Sequence, residues 1–242
     1  MEKIIKQKLK ERISDTCFNY LKTKRAYIAG GALTSALTNR KINDYDIYFR
    51  TLEECKEAID HFTKDPNYVI VATTENAITF ENKRFSGPHI QLIQKEEMIN
   101  ECVYDTISKF DFTINMAAYD TIGDTVIAHV NFYKDNMQRV LVFNEDTKYP
   151  IVSIHRAIKY MQRGYKLPGY EQVKIALAIN NLKMKNYRDL KIQLQGIDTS
   201  VFQPITDKLM ERPETGYDYE SFKKEMNNIN KGDDECKTQE LI

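Results

Sequence analysis

The chain has 242 residues, enough for one large domain or two small ones, and 42% of them are hydrophobic, so a sizeable core can form. Its 35 basic side chains balance 35 acidic ones, so net charge argues neither for nor against a nucleic-acid partner; only local clustering can. The charged start, MEKIIKQKLKERI, lacks the apolar core of a signal peptide, and no stretch approaches the ~20 apolar residues of a membrane span, so a cytoplasmic protein is expected.

In chain order, Ile4, Ile5, Leu9, Ile13, Cys17, Tyr20 and Leu21 recur at helical spacing and predict an amphipathic helix over residues 3–22. Ala26 to Ala29 reads as a buried strand that stops at Gly30-Gly31, and Ala32 to Leu37 as the helix after that turn. Asp44 to Phe49 alternates polar and apolar residues like a half-buried strand. Further strands are expected at 68–72, 77–80, 89–93, 125–131 and 139–143, with helices over 52–62 and around 95–102. Beyond Pro150 the period turns helical, with one helix ended by Gly164 and another over 173–184. A mixed α/β domain over 1–148 is therefore expected to precede a helical domain over 149–228, with a polar, disordered tail over 229–242. Cys17, Cys55, Cys102 and Cys236 form no CxxC pair and are expected to be free thiols.

Asp44 and Asp46 carry the chemistry. At i and i+2 on a strand they point to one face, so both can ligand divalent cations. Mg²⁺ (or Mn²⁺) prefers a few carboxylate oxygens and completes its shell with water and substrate phosphates, which is what nucleotidyl transfer from an NTP needs. Gly30 and Gly31 let the backbone approach phosphates closely, and Thr34 and Ser35 add hydroxyls in the first turn of the next helix. Either signal alone is weak; strand, Gly-Gly, helix and DxD in that order are specific.

The segment GGALTSALTNRKINDYDIYF resembles the first motif, GGxVRDxLLGRxxxDxD, of the polymerase-β-like nucleotidyltransferases. The closest likeness is to class II tRNA CCA-adding enzymes and bacterial poly(A) polymerases, with Gly30, Gly31, Leu33, Leu37, Arg40, Asp44 and Asp46 at family positions. KFDFTINMAAYD is similar to the family's RRDFTINAxAYD, and IHRAIKYMQRGYKL to its ILRAxRFAxxxGF. The resemblance implies an α/β (α+β) nucleotidyltransferase core followed by a small helical domain. It implies Asp111 and Asn115 as positioners of the nucleotide sugar, and Arg40, Arg156, Lys159 and Arg163 as partners of phosphates. An RNA 3′ end, tRNA-like, is the implied acceptor.

The chain also departs from that pattern. Thr34-Ser35 replaces the family's Arg-Asp, and Lys109-Phe110 its paired Arg. In HIQLI, Gln91 stands where a third carboxylate is expected, and no EDxxR follows the neck-like helix, although Glu145-Asp146 occurs upstream. Alternatives therefore stay open: nucleotidylation of a protein or small molecule, or a non-catalytic nucleotide- or RNA-binding module.

Blander readings stand beside these. Asp44 and Asp46 could be solvated acids on an edge strand, and Asp111 a helix N-cap. Residues 156–191 hold nine Lys or Arg against Glu171 and Asp189, which is either a solvated face or a surface for nucleic acid. His61, His89, His129 and His155 lack metal-ligand spacing. No Ser-His-Asp, Cys-His or P-loop arrangement competes.

Overall fold

The computed structural model describes residues 1–194 together with Ile205, Asp207, Glu220, Lys223 and Lys224. The tail expected over 229–242 lies outside the described residues. These divide into two compact units, residues 1–147 with 157–175, and residues 148–156 with the described residues from 176 onward.

The first unit begins with α1 (Glu2–Lys10), α2 (Asp15–Thr23), β1 (Tyr27–Ala29), α3 (Gly31–Leu37), β2 (Asp44–Tyr48), α4 (Leu52–Lys64), β3 (Tyr68–Thr73), β4 (Ala77–Asn82) and β5 (His89–Ile93). It continues through α5 (Val103–Ile107), a 3-10 turn at Thr113–Asn115, β6 (Ala117–Asp120), β7 (Thr125–Ala128) and α6 (Phe132–Gln138). The seven strands form one mixed sheet in the order β3-β4-β5-β2-β1-β6-β7, in which only β2 and β5 run parallel. This is the α/β class that the sequence predicts. α7 (Pro150–Gln162) runs from the second unit into the first, α8 (Gly169–Asn180) begins in the first, and α9 (Tyr187–Leu194) lies in the second.

Hydrophobic burial explains the centre of the sheet. All three residues of β1 are buried, as a short continuous apolar run in a central strand should be. β2 alternates instead, burying Tyr45 and Ile47 while Asp44 stays exposed and Asp46 half-buried. Tyr45 passes through the core and donates its hydroxyl to Leu9 O at 2.7 Å, tying β2 to α1. α4 begins with a capping box, in which the Thr51 hydroxyl accepts from Glu54 N and Glu54 Oε2 accepts from Thr51 N. In the second unit, Tyr187, Leu190 and Leu194 pack with Ile151, Met184 and Ile205.

Several expectations need correction. The helix expected over 3–22 is two helices, because Ser14 adopts an extended backbone and caps α2 with its hydroxyl. The stripe Ile5, Leu9, Ile13, Cys17 and Leu21 is nevertheless buried throughout, so the period survives the break. The helix expected around 95–102 is a 3-10 turn at Glu96–Met98, and α5 starts only at Val103. The strand expected over 125–131 ends at Ala128 and yields to α6. Arg139, in the left-handed conformation at φ 52°, closes α6, and the strand expected over 139–143 is reduced to single bridges at Val140 and Phe143. Gly164 follows α7 at φ +87°, as its stop signal predicts. Among the described residues no helix is long and apolar enough to cross a membrane.

A charged clamp joins α1 to the β6–β7 turn. Asp124 meets Lys10 Nζ at 2.9 Å, Lys6 Nζ at 3.2 Å and the Tyr119 hydroxyl at 2.7 Å. Lys10 and Tyr119 hold its carboxyl well below the usual carboxylate range. A depressed folded-state pKa stabilises above the ordinary carboxylate value of about 4, and that contribution fades as pH falls below it. Asn tolerates the left-handed backbone found here at φ 48°. Asp124→Asn should therefore lower the thermal midpoint at pH 7 by roughly 2 °C, as suits a half-exposed ionic cluster. Calorimetry across pH should show that difference shrinking below about pH 4.

Candidate functional site

The site grows from the pairing of β1 with β2, which sets Ala29 opposite Asp46. The next residue, Gly30, turns at φ 78° and ψ −133°, a conformation that disfavours any side chain, and its N–H donates to Ala117 O at 3.0 Å. A Cβ at Gly30 would lie 3.9 Å from Asp46 Oδ2 and 3.5 Å from the ring of Phe110. The carboxylate of Asp46 thus faces the glycine turn. A Cβ at Gly31 would lie 3.7 Å from the Tyr160 hydroxyl.

Across the sheet, the parallel pairing of β2 with β5 sets His89 beside Asp44 and Gln91 beside Asp46. His89 Nδ1 lies 3.4 Å from Asp44 Oδ1. Gln91 donates to Thr79 Oγ1 on β4 at 3.3 Å, so a neutral amide occupies the position next to Asp46. The donor set is two carboxylates, and among the described residues no group of three or more Asp, Glu, His or Cys is arranged to hold a metal. Two carboxylates on one strand face, open to solvent at Asp44, fit Mg²⁺ or Mn²⁺ completed by water and substrate oxygens.

The segment from Ser108 to Asn115 is pinned below the turn. Asn144 Nδ2 donates to Ser108 O and Phe110 O, Asn136 Nδ2 to Ile114 O, and Asp135 Oδ2 lies 2.6 Å from the Thr113 hydroxyl. Asp111 is buried and does not cap a helix; the residue before the 3-10 turn is Phe112. Asn115 Oδ1 accepts from the Tyr160 hydroxyl at 2.6 Å. The Thr34 hydroxyl lies 2.5 Å from Ile114 O and 3.3 Å from Asn115 Oδ1, and Ser35 is buried beside it, so both work inside the fold.

Two of the expected phosphate-binding residues, Arg40 and Arg163, meet. Arg40 donates to Arg163 O just past the end of α7, and the Arg163 guanidinium lies over the Tyr160 ring. Lys159 precedes Tyr160 in the first unit, whereas Arg156 belongs to the second. Glu145 pairs with Lys174 at 3.3 Å. Phe110, His89, Arg139 and Tyr160 were not legible as site residues: only strand register and loop packing bring them in, and neither has a local pattern.

A family model described as Gabija anti-defense 2 family protein matches residues 2–139. A curated relative, "Gabija anti-defense 2" of Bacillus phage SPbetaL7, is 35% identical over 200 residues, covering 79% of this chain and 46% of that protein. The chain thus spans about half the length of that relative. Among solved structures, an apo CCA-adding enzyme aligns with a TM-score of 0.52 at 18% identity, covering 93% of this chain and 61% of that one. The Thermotoga maritima CCA-adding enzyme with tRNA gives 0.52 at 17%, covering 93% and 60%. A CCA-adding enzyme with CTP gives 0.51 at 19%, covering 93% and 59%. At such identities the likeness shows only that the chain shares their fold.

The two glycines should differ in their demands. Gly30→Ala should cost about 1–2 kcal/mol in denaturant unfolding, because its positive φ is closed to a side chain whatever the space. Gly31→Ala, helical and in ordinary contact with Tyr160, should leave the unfolding free energy unchanged or raise it by up to about 1 kcal/mol.

Proposed function

The chain belongs to the Gabija anti-defense 2 family, and from that premise we propose that it counters the Gabija defence by metal-dependent nucleotidyl transfer. The observation that carries this reading is the carboxylate pair of β2 beside the Gly30–Gly31 turn, with Asp46 aimed at the glycine that has no side chain to block the approach.

In this reading Asp44 and Asp46 hold Mg²⁺ or Mn²⁺, which when bound would polarise the phosphate oxygens of an NTP and offset the charge of the leaving pyrophosphate. Gly30 and Gly31 leave room for the triphosphate against the backbone. Asp111 and Asn115, held by the pinned segment and by Tyr160, orient the sugar; Thr34 and Ser35 support them from within α3. Arg40, Lys159 and Arg163 supply positive charge for phosphates. An acceptor hydroxyl forms a bond to the α-phosphorus, the bond from that phosphorus to the bridging oxygen breaks, pyrophosphate leaves, and the hydroxyl proton passes to water. We assign this work to the first unit, residues 1–147 with 157–175.

An RNA 3′ end, tRNA-like, is the acceptor that fold analogy favours, and analogy is its whole support. Family membership favours a second reading, in which the acceptor hydroxyl belongs to a protein or small molecule of the defence. The neutral Gln91 beside Asp46 supports a third, a nucleotide- or RNA-binding module without turnover.

Incubating the protein with Mg²⁺, each labelled NTP, cellular RNA and lysate from cells carrying the defence separates the three. Label should reach one acceptor class with wild type and fall at least 100-fold with Asp44→Ala/Asp46→Ala, the order expected when transition-state charge stabilisation is removed. NTP binding without label on any acceptor would leave the binding module. Gln91→Glu should lower by several-fold the Mg²⁺ concentration at which NTP binding is half-maximal, since a third carboxylate adds a hard ligand. An unchanged midpoint would show that Gln91 lies outside the cation's reach.

A further inference from the structure

Three guanidinium groups converge on the turn that closes α7. Arg40 and Arg139 both donate to the main-chain carbonyl of Arg163, Arg139 through Nη1 at 3.1 Å. The Arg163 guanidinium lies 5.4 Å from the centre of the Tyr160 ring, and that of Arg139 lies 5.9 Å from the centre of the Tyr165 ring. Burial pushes the Tyr165 hydroxyl up from its ordinary pKa while Arg139, Arg40 and Arg163 each pull it back, so all three charges act on one phenol. They arrive from separate places in the chain: Arg40 follows α3, Arg139 closes α6, and Arg163 follows α7. Among the described residues no carboxylate forms an ion pair with any of them.

Helix capping explains part of this arrangement and leaves most of it over. A helix C-terminus carries about −0.5 of an elementary charge, which one cation offsets. Three leave an excess of roughly +2.5, which no ion pair among the described residues offsets. Guanidinium groups are built to meet phosphate oxygens through paired N–H donors, and all three sit at least partly exposed.

We propose that Arg40, Arg139 and Arg163 form a phosphate-binding site, joined to the glycine turn through Tyr160. Tyr160 provides that link because its hydroxyl approaches Gly31 and bonds Asn115 while its ring carries Arg163. Gly31 opens α3 and Arg40 lies just past its end, about 10 Å along the axis for seven helical residues. The cluster therefore adds cationic charge at the far end of α3 from the glycine turn. Two sources share this chemistry, the terminal phosphates of a nucleoside triphosphate and the backbone of a nucleic-acid acceptor. The choice of ligand rests on the nucleotidyl-transfer reading; the charge argument does not.

The test measures binding without turnover in the full chain, using ATP with Mg²⁺ by calorimetry and a fluorescein-labelled single-stranded RNA by anisotropy. Arg139→Gln should weaken at least one probe by about tenfold, as loss of a charge-assisted contact does. If RNA is the probe affected, the slope of log affinity against log salt should flatten by about 0.7. Arg139→Lys, with the same left-handed backbone demand and the charge retained, should restore most of the binding. Loss confined to ATP assigns the site to the nucleotide; loss confined to RNA assigns it to the acceptor strand. Both probes binding Arg139→Gln and Arg40→Gln/Arg139→Gln as tightly as wild type would overturn the proposal. So would a Lys variant as weak as Gln whose loss tracks the thermal midpoint, since that is the mark of capping alone. Arginine-dependent binding in a protein that transfers nothing would leave this site standing and remove the transfer reading; transfer with arginine-independent binding would do the reverse.

Discussion

Antiparallel pairing of β1 with β2 is the constraint from which the site follows. It fixes Ala29 against Asp46, so the first residue beyond β1 must turn away beside a carboxylate. Only a residue without a Cβ turns at φ 78° here without strain, and Gly30 does so while its N–H stays bonded to Ala117 on the other neighbouring strand. The alternation of β2 holds that register, because slipping β2 by one residue would drive Tyr45 and Ile47 out of the core and turn Asp46 inward. Hydrophobic burial thus sets the position of the polar group.

A second layer depends on this first one. The segment between α5 and β6 crosses below the turn as irregular backbone, and irregular backbone in a buried place must find partners for its polar groups. Asn136 and Asn144, both outside the segment, supply them through side-chain amides, each bridging two carbonyls. The outcome is that Phe110 seats against Gly30 and Asn115 against Thr34 and Tyr160. A polar network placed this way rigidifies one arrangement.

The sheet class, the glycine turn and the carboxylate pair were legible because each rests on local pattern: a short apolar run, two glycines, and alternation through Asp44-Tyr45-Asp46. The break at Ser14 was not, since the apolar stripe continues across it and only the cap reveals it. α6 was hidden by the polar mixture Phe132 to Gln138, whose helix is closed by a left-handed Arg139 that no pattern announces. Gln91 could be suspected from its strand, yet its place beside Asp46 comes from a parallel pairing of segments more than forty residues apart. The cluster of Arg40, Arg139 and Arg163 is wholly tertiary, assembled from the ends of three helices.

The central claim is that Asp44 and Asp46 hold a cation-bound nucleoside triphosphate against the glycine turn. Titrating a non-hydrolysable NTP into wild type and Asp46→Asn, with and without Mn²⁺, tests it most directly. The account predicts binding to wild type that requires Mn²⁺, and loss of that requirement together with most of the affinity in the variant. Equal, cation-independent binding to both proteins would contradict it.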